Sequence, residues 1–367
     1  MSEKINRVLG SLIKCKLAFN YIWFRIKVLL CSSMKETKQN VLIDLTGLSI
    51  NRRIVQVVYQ LINSGYCVSY IITPKCYINT YYSGLNDYQE YFFDHALYHK
   101  RGRNYQVVFC GKGRANIYEK RIVFCDKIES FEFKFDRLFY YPILYHPNYL
   151  FQDREKEALE ERSQNKIKML FVGNNSSIYS RFSDKIHKRY RIETRNEVID
   201  YLLLHFNDCI YRPHSKDELF SALHDNSLVN KIVIVDKFRF EGDEYWNILK
   251  QTAFHVWTCG LLQPYCHNQV ESMSCGTIPI YNRIIKYYGL NEQNSYPYND
   301  LDGLASIVNS LLCVDINGEL IKQKEKEIKN VYVENLSKAA FSKKINDYLE
   351  SEKNEETYYI CNGIYEE

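Results

Sequence analysis

Glu271 follows His267 and Asn268 by about one helical turn, and these three residue types could together hold a nucleotide. An apolar run over 253–257 predicts a strand before them, and Gly276 predicts the end of a helix after them. In parallel α/β sheets, ligands lie beyond the carboxyl ends of the strands, where helix N-termini direct unpaired N–H groups at anions. With phosphates at that helix end, Glu271 could accept two hydrogen bonds from a ribose diol. The alternative is an ordinary βαβ unit whose Glu271 is solvated.

The residues that follow this predicted helix could also approach a ligand. Gly276 lacks a Cβ, so Gly276 and Thr277 would let the backbone come close to a bound nucleotide. Pro279 is typical of a structural position, because its fixed φ sets the turn into the next predicted strand.

The segment HNQVESMSCGTIPIY, residues 267–281, resembles the C-terminal nucleotide-sugar signature of GT-B glycosyltransferases of the bacterial surface-polysaccharide type. In that signature, a helix that carries a Glu precedes a small residue, a Gly and a turn with Pro. Three further segments resemble parts of the same domain in the same order, and together the resemblance covers roughly residues 166–312. They are 168–175 as a first strand and loop, 231–236 as a later strand, and 290–304 as a loop before a helix.

The resemblance implies a donor site for a nucleotide sugar in the C-terminal half. It assigns the ribose hydroxyls to Glu271 and places His267 and Asn268 near the phosphates or the sugar. It also places Gly173, in the loop that opens this domain, among the donor-binding residues. Retaining enzymes of the family commonly carry a second Glu eight positions earlier, where this chain has Gln263. Retention or inversion of configuration therefore stays open.

Sugar transfer releases a nucleoside diphosphate, whose developing negative charge must be stabilised as the anomeric bond breaks. Three cations follow predicted strands of the second domain and could contact the diphosphate: Arg181, Lys237 and Arg239. Surface charge is the alternative for each. Metal-dependent enzymes of the other main architecture carry an Asp-x-Asp between a strand and a loop. We expect no such triplet in this chain, and therefore no metal site. No cofactor is expected either, because the nucleotide sugar is the substrate.

An inverting enzyme also needs a base that removes the proton of the acceptor hydroxyl. The first domain should supply it. The candidates are His146 at the domain junction and Asp44 at the end of the first predicted strand, with His95 and His99 as further options. Lone histidines are more often packing or surface residues.

Strands and helices alternate along the 367 residues, which predicts an α/β fold with parallel sheets. The length suits two domains. We predict two Rossmann-like domains, as in GT-B architecture, with an N-terminal amphipathic helix. The predicted segments are a basic arm over 1–39, an acceptor domain over 40–150, a charged linker over 151–166, a nucleotide-sugar domain over 167–320, and a C-terminal helix and tail over 321–367.

The first thirty residues combine apolar positions at helical spacing with frequent Lys and Arg, so no uninterrupted span reaches the roughly 20 residues of a membrane crossing. A basic amphipathic helix suits an anionic membrane surface. A helix packed on its own domain is the alternative. The net charge of +4 and the absence of an aromatic-plus-basic RNP-type run argue against a nucleic-acid partner. Twelve cysteines without a C-x-x-C pair indicate free thiols in a reducing compartment.

These features predict a glycosyltransferase that moves a sugar from a nucleotide-sugar donor to a glycan or lipid-linked acceptor in bacterial surface-polysaccharide synthesis. The expected location is the cytoplasm, with attachment to the inner membrane face through residues 1–30. Two alternatives stay open. One is a nucleotide-sugar 2-epimerase of the same architecture, and the other is a catalytically degenerate scaffold of glycan assembly.

Overall fold

A computed structural model describes residues 15–26, 40–48, 50–82, 92–93, 96–98, 104–125, 138–140, 154–175, 183–241, 243–260, 264–287, 289–351 and 357–361. They form two compact units. The first contains the described residues within Met1–Asp126, Phe133–Pro142 and Phe341–Asn362. The second contains those within Ile143–Ala340.

The first unit is built on a parallel sheet with the strand order β3-β2-β1-β4-β5-β13-β6. The chain leaves β1 for β2 on one side and returns to β4 on the other, so a topological switch point lies between β1 and β4. The strands are β1 (Asn40–Asp44), β2 (Cys67–Ile71), β3 (Leu97–Tyr98), β4 (Val107–Gly111), β5 (Arg121–Phe124), β6 (Leu138–Tyr140) and β13 (Thr357–Cys361).

Helix α1 (Arg52–Asn63) covers this sheet, and α2 (Pro74–Tyr82) follows β2. Asn51 caps α1, because its side-chain oxygen accepts hydrogen bonds from the backbone N–H groups of Arg53 and Ile54. The apolar face of α1, which includes Val55 and Val58, is fully buried. Burial of one such side chain stabilises the fold by about 1.5–3 kcal/mol. Its apolar residues recur at helical spacing over 54–61, as expected for an amphipathic helix.

Strand β13 comes from far along the chain and lies between β5 and β6. Its register pairs Thr357 with Arg121 and Ile360 with Phe124. Helix α11 (Lys338–Glu350) leads back to this unit, where Tyr348 Oη accepts a 2.7 Å hydrogen bond from the backbone N–H of Arg121. We predicted a helix and a tail here but no strand. Five residues without a flanking turn signal are too weak a pattern to predict a strand. The strand is stabilised by pairing with two other strands that are distant in sequence.

The second unit has a parallel sheet with the strand order β12-β11-β10-β7-β9-β8. Its switch point lies between β7 and β10, because β8 and β9 lie to one side of β7 and β11 and β12 lie beyond β10. The strands are β7 (Ile167–Val172), β8 (Ile210–Tyr211), β9 (Ile232–Val235), β10 (Thr252–Val256), β11 (Ile278–Asn282) and β12 (Tyr296–Tyr298).

Helices cover both faces of this sheet, and one cluster of its core includes Phe171, Ile234, Phe254 and Leu304. The near-continuous apolar strands are typical of a parallel sheet that is buried on both faces. The helices are α3 (Arg154–Leu159), α4 (Ser183–Tyr190), α5 (Arg195–His205), α6 (Lys216–His224), α7 (Glu244–Lys250), α8 (His267–Ser274), α9 (Leu301–Leu312) and α10 (Glu319–Asn335).

The structure confirms the predicted fold class, α/β with two Rossmann-like units. It also shows helix over 15–26, within the predicted arm. Among the described residues, no helix combines the length and the apolar character that a membrane crossing requires.

Candidate functional site

The most developed candidate site lies at the carboxyl edge of the second sheet, at its switch point. Strands β7 and β10 end there side by side, and α8 begins there after the loop that follows β10. In parallel α/β folds, this is the place where ligands bind.

Hydrogen bonds fasten the first turn of α8 to the end of β7 and to the loop that follows β10. Asn268 Nδ2 donates to the carbonyl of Val172, the last residue of β7, at 3.3 Å. Gln269 Nε2 donates to the carbonyls of Thr258 and Pro264 at 3.4 and 3.0 Å. The end of β7 and the loop after β10 therefore fix the position of this helix N-terminus, and its direction places the positive end of the helix dipole at the switch point.

Glu271 lies one turn into α8 with only 1% of its surface exposed. Its Oε2 is 2.8 Å from Nδ1 of His267, which is 24% exposed. Helical side chains tilt toward the N-terminus, so this carboxylate is directed at the carboxyl edge of the sheet. With its proton on Nδ1, His267 donates to Glu271 and holds it in this orientation. The sequence-predicted group of Glu271, His267 and Asn268 is thus brought together on one turn.

Arg195, which we did not predict as a site residue, lies beside them. It begins α5 and is 6% exposed. Its Nε donates to Thr258 Oγ1 at 3.2 Å, its Nη1 to the carbonyl of Asn174 at 3.2 Å, and its Nη2 to the carbonyl of Cys259 at 3.4 Å. The loops after β7 and β10 therefore hold one permanent positive charge between them.

Gly173 has a defined reason for its identity at this place. A Cβ added to it would lie 2.9 Å from Nη1 of Arg195 and 3.1 Å from Cζ. Any larger residue would displace the guanidinium group. Gly173 therefore serves the position of Arg195, and its contact with the donor stays a prediction.

Lys237 and Arg239 follow the carboxyl end of β9 and are exposed. Because β9 pairs with β7, both residues belong to the same edge of the sheet, roughly 5 Å per strand away from the switch point. Asp236, just before them, accepts from Arg212 Nε at 3.0 Å. Arg212 is therefore bound to Asp236, while Lys237 and Arg239 stay predicted donor contacts.

The predicted approach of Gly276 and Thr277 to a bound nucleotide is wrong. Both lie after the C-terminus of α8 and before β11, at the amino edge of the sheet, which is the opposite edge from the switch point. Gly276 has φ +74°, and a Cβ there would lie 2.9 Å from the carbonyl oxygen of Glu325 in α10. Thr277 Oγ1 donates to the carbonyl of Leu249 at 2.9 Å. Both residues pack the interior of the unit and do not approach a ligand beyond the strand ends.

Asp44 ends β1 at the switch point of the first unit and is fully buried. Its Oδ1 accepts from the backbone N–H of Thr46 at 2.8 Å, and its Oδ2 accepts from Tyr118 Oη at 2.6 Å and from Arg114 Nε at 3.0 Å. Burial favours a raised pKa for Asp44, but the hydrogen bonds from Thr46, Tyr118 and Arg114 outweigh it and lower the pKa. This environment disfavours Asp44 as a base and gives it a positioning role for Arg114.

His146, the other candidate base, lies outside the described residues, as do Arg181, Gln263, His95 and His99.

A triplet with Asp-x-Asp spacing does occur at Asp300-Leu301-Asp302, which corrects our sequence interpretation. Asp300 caps α9 by accepting from the backbone N–H of Gly303 at 2.8 Å. Asp302 Oδ1 accepts from Tyr201 Oη at 2.9 Å. Both carboxylates thus accept hydrogen bonds at the start of α9, where Asp300 is the N-cap residue.

The two parallel sheets, each with its own switch point, decide the architecture. The chain has two Rossmann-like units.

No protein-family model and no curated protein matches the chain. Solved structures do resemble it. HepE from Anabaena, in complex with UDP and glucose, has 9% identity and a TM-score of 0.41 over 85% of this chain and 99% of its own. A glycosyltransferase from Rickettsia africae has 11% identity and a TM-score of 0.39 over 86% and 98%. AviGT4, a glycosyltransferase of avilamycin A biosynthesis, has 9% and 0.35 over 85% and 97%. At these scores the likeness carries no conclusion about the function of this chain.

Proposed function

We propose that this protein is a glycosyltransferase that uses a nucleotide-sugar donor. One observation carries the proposal: Glu271, oriented by His267, lies on a helix whose N-terminus is fastened to the end of β7 and to the loop after β10, with Arg195 beside it. The carboxylate suits a ribose diol, which donates two hydrogen bonds. The helix N-terminus and the guanidinium group suit a diphosphate.

The chemistry of transfer requires such an arrangement. When the bond between the anomeric carbon and the diphosphate oxygen breaks, negative charge develops on the leaving phosphate. Arg195 is already held by Thr258, Asn174 and Cys259, so little reorganisation is needed when this charge appears. Lys237 and Arg239 add positive charge to the same edge of the sheet. This set of cations can stabilise the leaving group without a metal or a cofactor, and we propose that the enzyme needs neither.

We propose that the acceptor is a glycan or a lipid-linked saccharide of bacterial surface-polysaccharide synthesis, handled by the first unit. The basic arm supports this assignment, because an enzyme that extends lipid-linked chains works at the cytoplasmic face of an anionic membrane. The base that activates the acceptor hydroxyl is expected from the first unit, with His146 as its candidate. Retention or inversion is left to a product analysis.

Donor binding is tested by thermal-shift titration with nucleoside diphosphates and nucleotide sugars. A ligand that binds only the folded state raises its stability in proportion to the logarithm of ligand concentration over Kd. We expect one nucleotide class to raise the Tm of the wild type. Glu271→Gln should weaken that shift, because the amide has only one acceptor oxygen for the diol.

Arg195→Gln should weaken the shift given by diphosphates more than the shift given by the nucleoside alone. Glu319→Gln is the matched control, since the side chain of Glu319 is 90% exposed at the start of α10. If no ligand of the panel shifts the Tm of the wild type, the enzymatic proposal is refuted and a scaffold is favoured. A nucleotide-sugar isomer formed without any acceptor would instead identify a 2-epimerase.

A further inference from the structure

The helical segment 15–26 carries large apolar side chains on its exposed side. Phe19, Ile22, Trp23 and Ile26 are 77%, 55%, 70% and 42% exposed. Their spacing places them within an arc of roughly 100° on a helix with 3.6 residues per turn. These four residues are called the apolar stripe below.

The opposite side of this segment is packed on the first unit. The ring of Tyr21 lies 5.3 Å from that of Tyr77, and the ring of Phe24 lies 5.2 Å from Tyr77 and 4.9 Å from Phe93. These contacts use the aromatic residues that point inward and leave the apolar stripe outward. The alternative that we left open, a helix packed on its own domain, thus accounts for one face of the segment and not for the other.

Exposed apolar residues elsewhere in the described chain do not form such a series. Leu204 on α5 is 77% exposed and is the one large exposed hydrophobic of that helix. Leu320 and Val333 on α10 are 64% and 41% exposed and lie 13 positions apart. Scattered single residues of this kind are normal on protein surfaces, whereas a contiguous apolar patch marks an interaction site.

The charge of this segment indicates what the stripe binds. Residues 4–35 contain seven Lys and Arg and no Asp or Glu. Lys16 is exposed, and Arg25 Nη1 donates to Tyr21 Oη at 3.1 Å. Helices with an apolar face, a Trp and flanking cations lie in the boundary between the headgroups and acyl chains of anionic membranes. A second copy of this chain suits the stripe less well, because two cationic segments repel each other when they pair.

We propose that the apolar stripe docks the first unit on an anionic lipid bilayer, with Phe19, Ile22, Trp23 and Ile26 inserted below the headgroups. Tyr21 and Phe24 transmit this contact to the body of the unit, so the protein is held in one orientation and not on a loose tether. The docking rests on the proposed function in one respect only, namely that the acceptor lies at a membrane.

Co-sedimentation of the full chain with vesicles tests the docking. We expect binding to phosphatidylcholine vesicles that contain phosphatidylglycerol, and weak binding to pure phosphatidylcholine. The double variant Ile22→Asp/Trp23→Asp should bind anionic vesicles at least about tenfold more weakly, because two inserted apolar side chains become charged. Leu204→Asp is the matched control and should bind as the wild type does. Equal binding of the wild type and the double variant overturns the proposal, and so does an equal loss in Leu204→Asp.

Tryptophan fluorescence tests the orientation. The chain has three Trp residues, of which Trp246 and Trp257 are 2% and 0% exposed in the second unit. Brominated lipids should therefore quench Trp23 selectively. Trp23→Phe should keep vesicle binding and lose this quenching. Quenching that persists in Trp23→Phe, or no quenching of the wild type on bound vesicles, overturns the proposed insertion.

A self-association role predicts a different result. A dimer in sedimentation velocity that the double variant abolishes, together with no vesicle binding by the wild type, would assign the stripe to a second copy and overturn the proposal. The nucleotide thermal shift of the double variant should equal that of the wild type. Vesicle binding without a nucleotide shift would refute the donor site alone, and a nucleotide shift without vesicle binding would refute the docking alone.

Discussion

His255 gives a prediction that can be worked out from the structure. It lies in β10, fully buried, and neither ring nitrogen has a hydrogen-bond partner. Burial, with a smaller effect from the positive charge of Arg195, lowers the pKa of His255 from its ordinary 6.5 to about 3. The ring is therefore neutral in the folded protein at pH 5 and above.

The sign of the pH dependence follows from this difference. Between pH 6.5 and about 3 the unfolded chain holds a proton on His255 and the folded chain does not. The free energy of unfolding therefore rises with pH in this window and is lost as the pH falls below about 6.5. From pH 7 to pH 5, the loss from this one group is about 2 kcal/mol.

Urea denaturation, followed by tryptophan fluorescence, measures this effect. Trp246 and Trp257 are buried in the same unit as His255 and report its unfolding. In His255→Leu, the free energy of unfolding should fall by about 2 kcal/mol less between pH 7 and pH 5 than in the wild type. His224→Leu is the control, since the side chain of His224 is 89% exposed. Identical losses in the wild type and His255→Leu would refute the reasoning.

Three further substitutions test the positions described above. Gly173→Ala places a Cβ 2.9 Å from Nη1 of Arg195, so the Kd for the donor nucleotide in a binding titration should rise about tenfold, the equivalent of one charged hydrogen bond. Gly276→Ala should lower the free energy of unfolding by about 1–3 kcal/mol through its positive φ, with an unchanged nucleotide Kd. Gly113→Ala, which meets nothing within 4 Å, should be neutral, and a matching loss there would contradict the strain argument. Asp44→Asn should cost about 1.5–3 kcal/mol at pH 7 by circular dichroism. Because the folded pKa of Asp44 is lowered, the wild type should lose that advantage as the pH falls through the folded value, and a pH-independent difference would count against it.

The elements around the donor site were predictable because their patterns are local. The strand over 253–257 is apolar and ends at a Gly, and the helix after it ends at another Gly, so β10, α8 and β11 appear within one or two residues of their predicted bounds. The same holds for β7 and β9. Each of these elements is defined by its own composition and by the turn residues beside it.

The role of Arg195 could not be predicted in this way. Its partners Asn174 and Thr258 are 21 and 63 positions away in sequence, and the order of the strands decides that they meet. In sequence it is one of several charged residues at the start of a helix. A signal did exist, since Arg at the first position of a helix is unfavourable for the helix dipole and thus calls for another reason.

For Gly276, the prediction of a ligand contact was wrong. A Gly near a ligand motif and a Gly under a crossing helix have the same sequence signature, because both provide positive φ and the absence of a Cβ. Only the position of Glu325, far along the chain, distinguishes them.

The insertion of β13 between β5 and β6 has a consequence for biosynthesis. On a ribosome, every described strand of the second unit emerges before Thr357, whereas the first sheet lacks an internal strand until that residue is made. At roughly 5–20 residues per second, the wait after β5 is on the order of tens of seconds. Throughout that interval the edges of β5 and β6 have unpaired backbone groups, which other chains can pair with. The later half of the chain can therefore fold first, and the earlier half needs protection during translation.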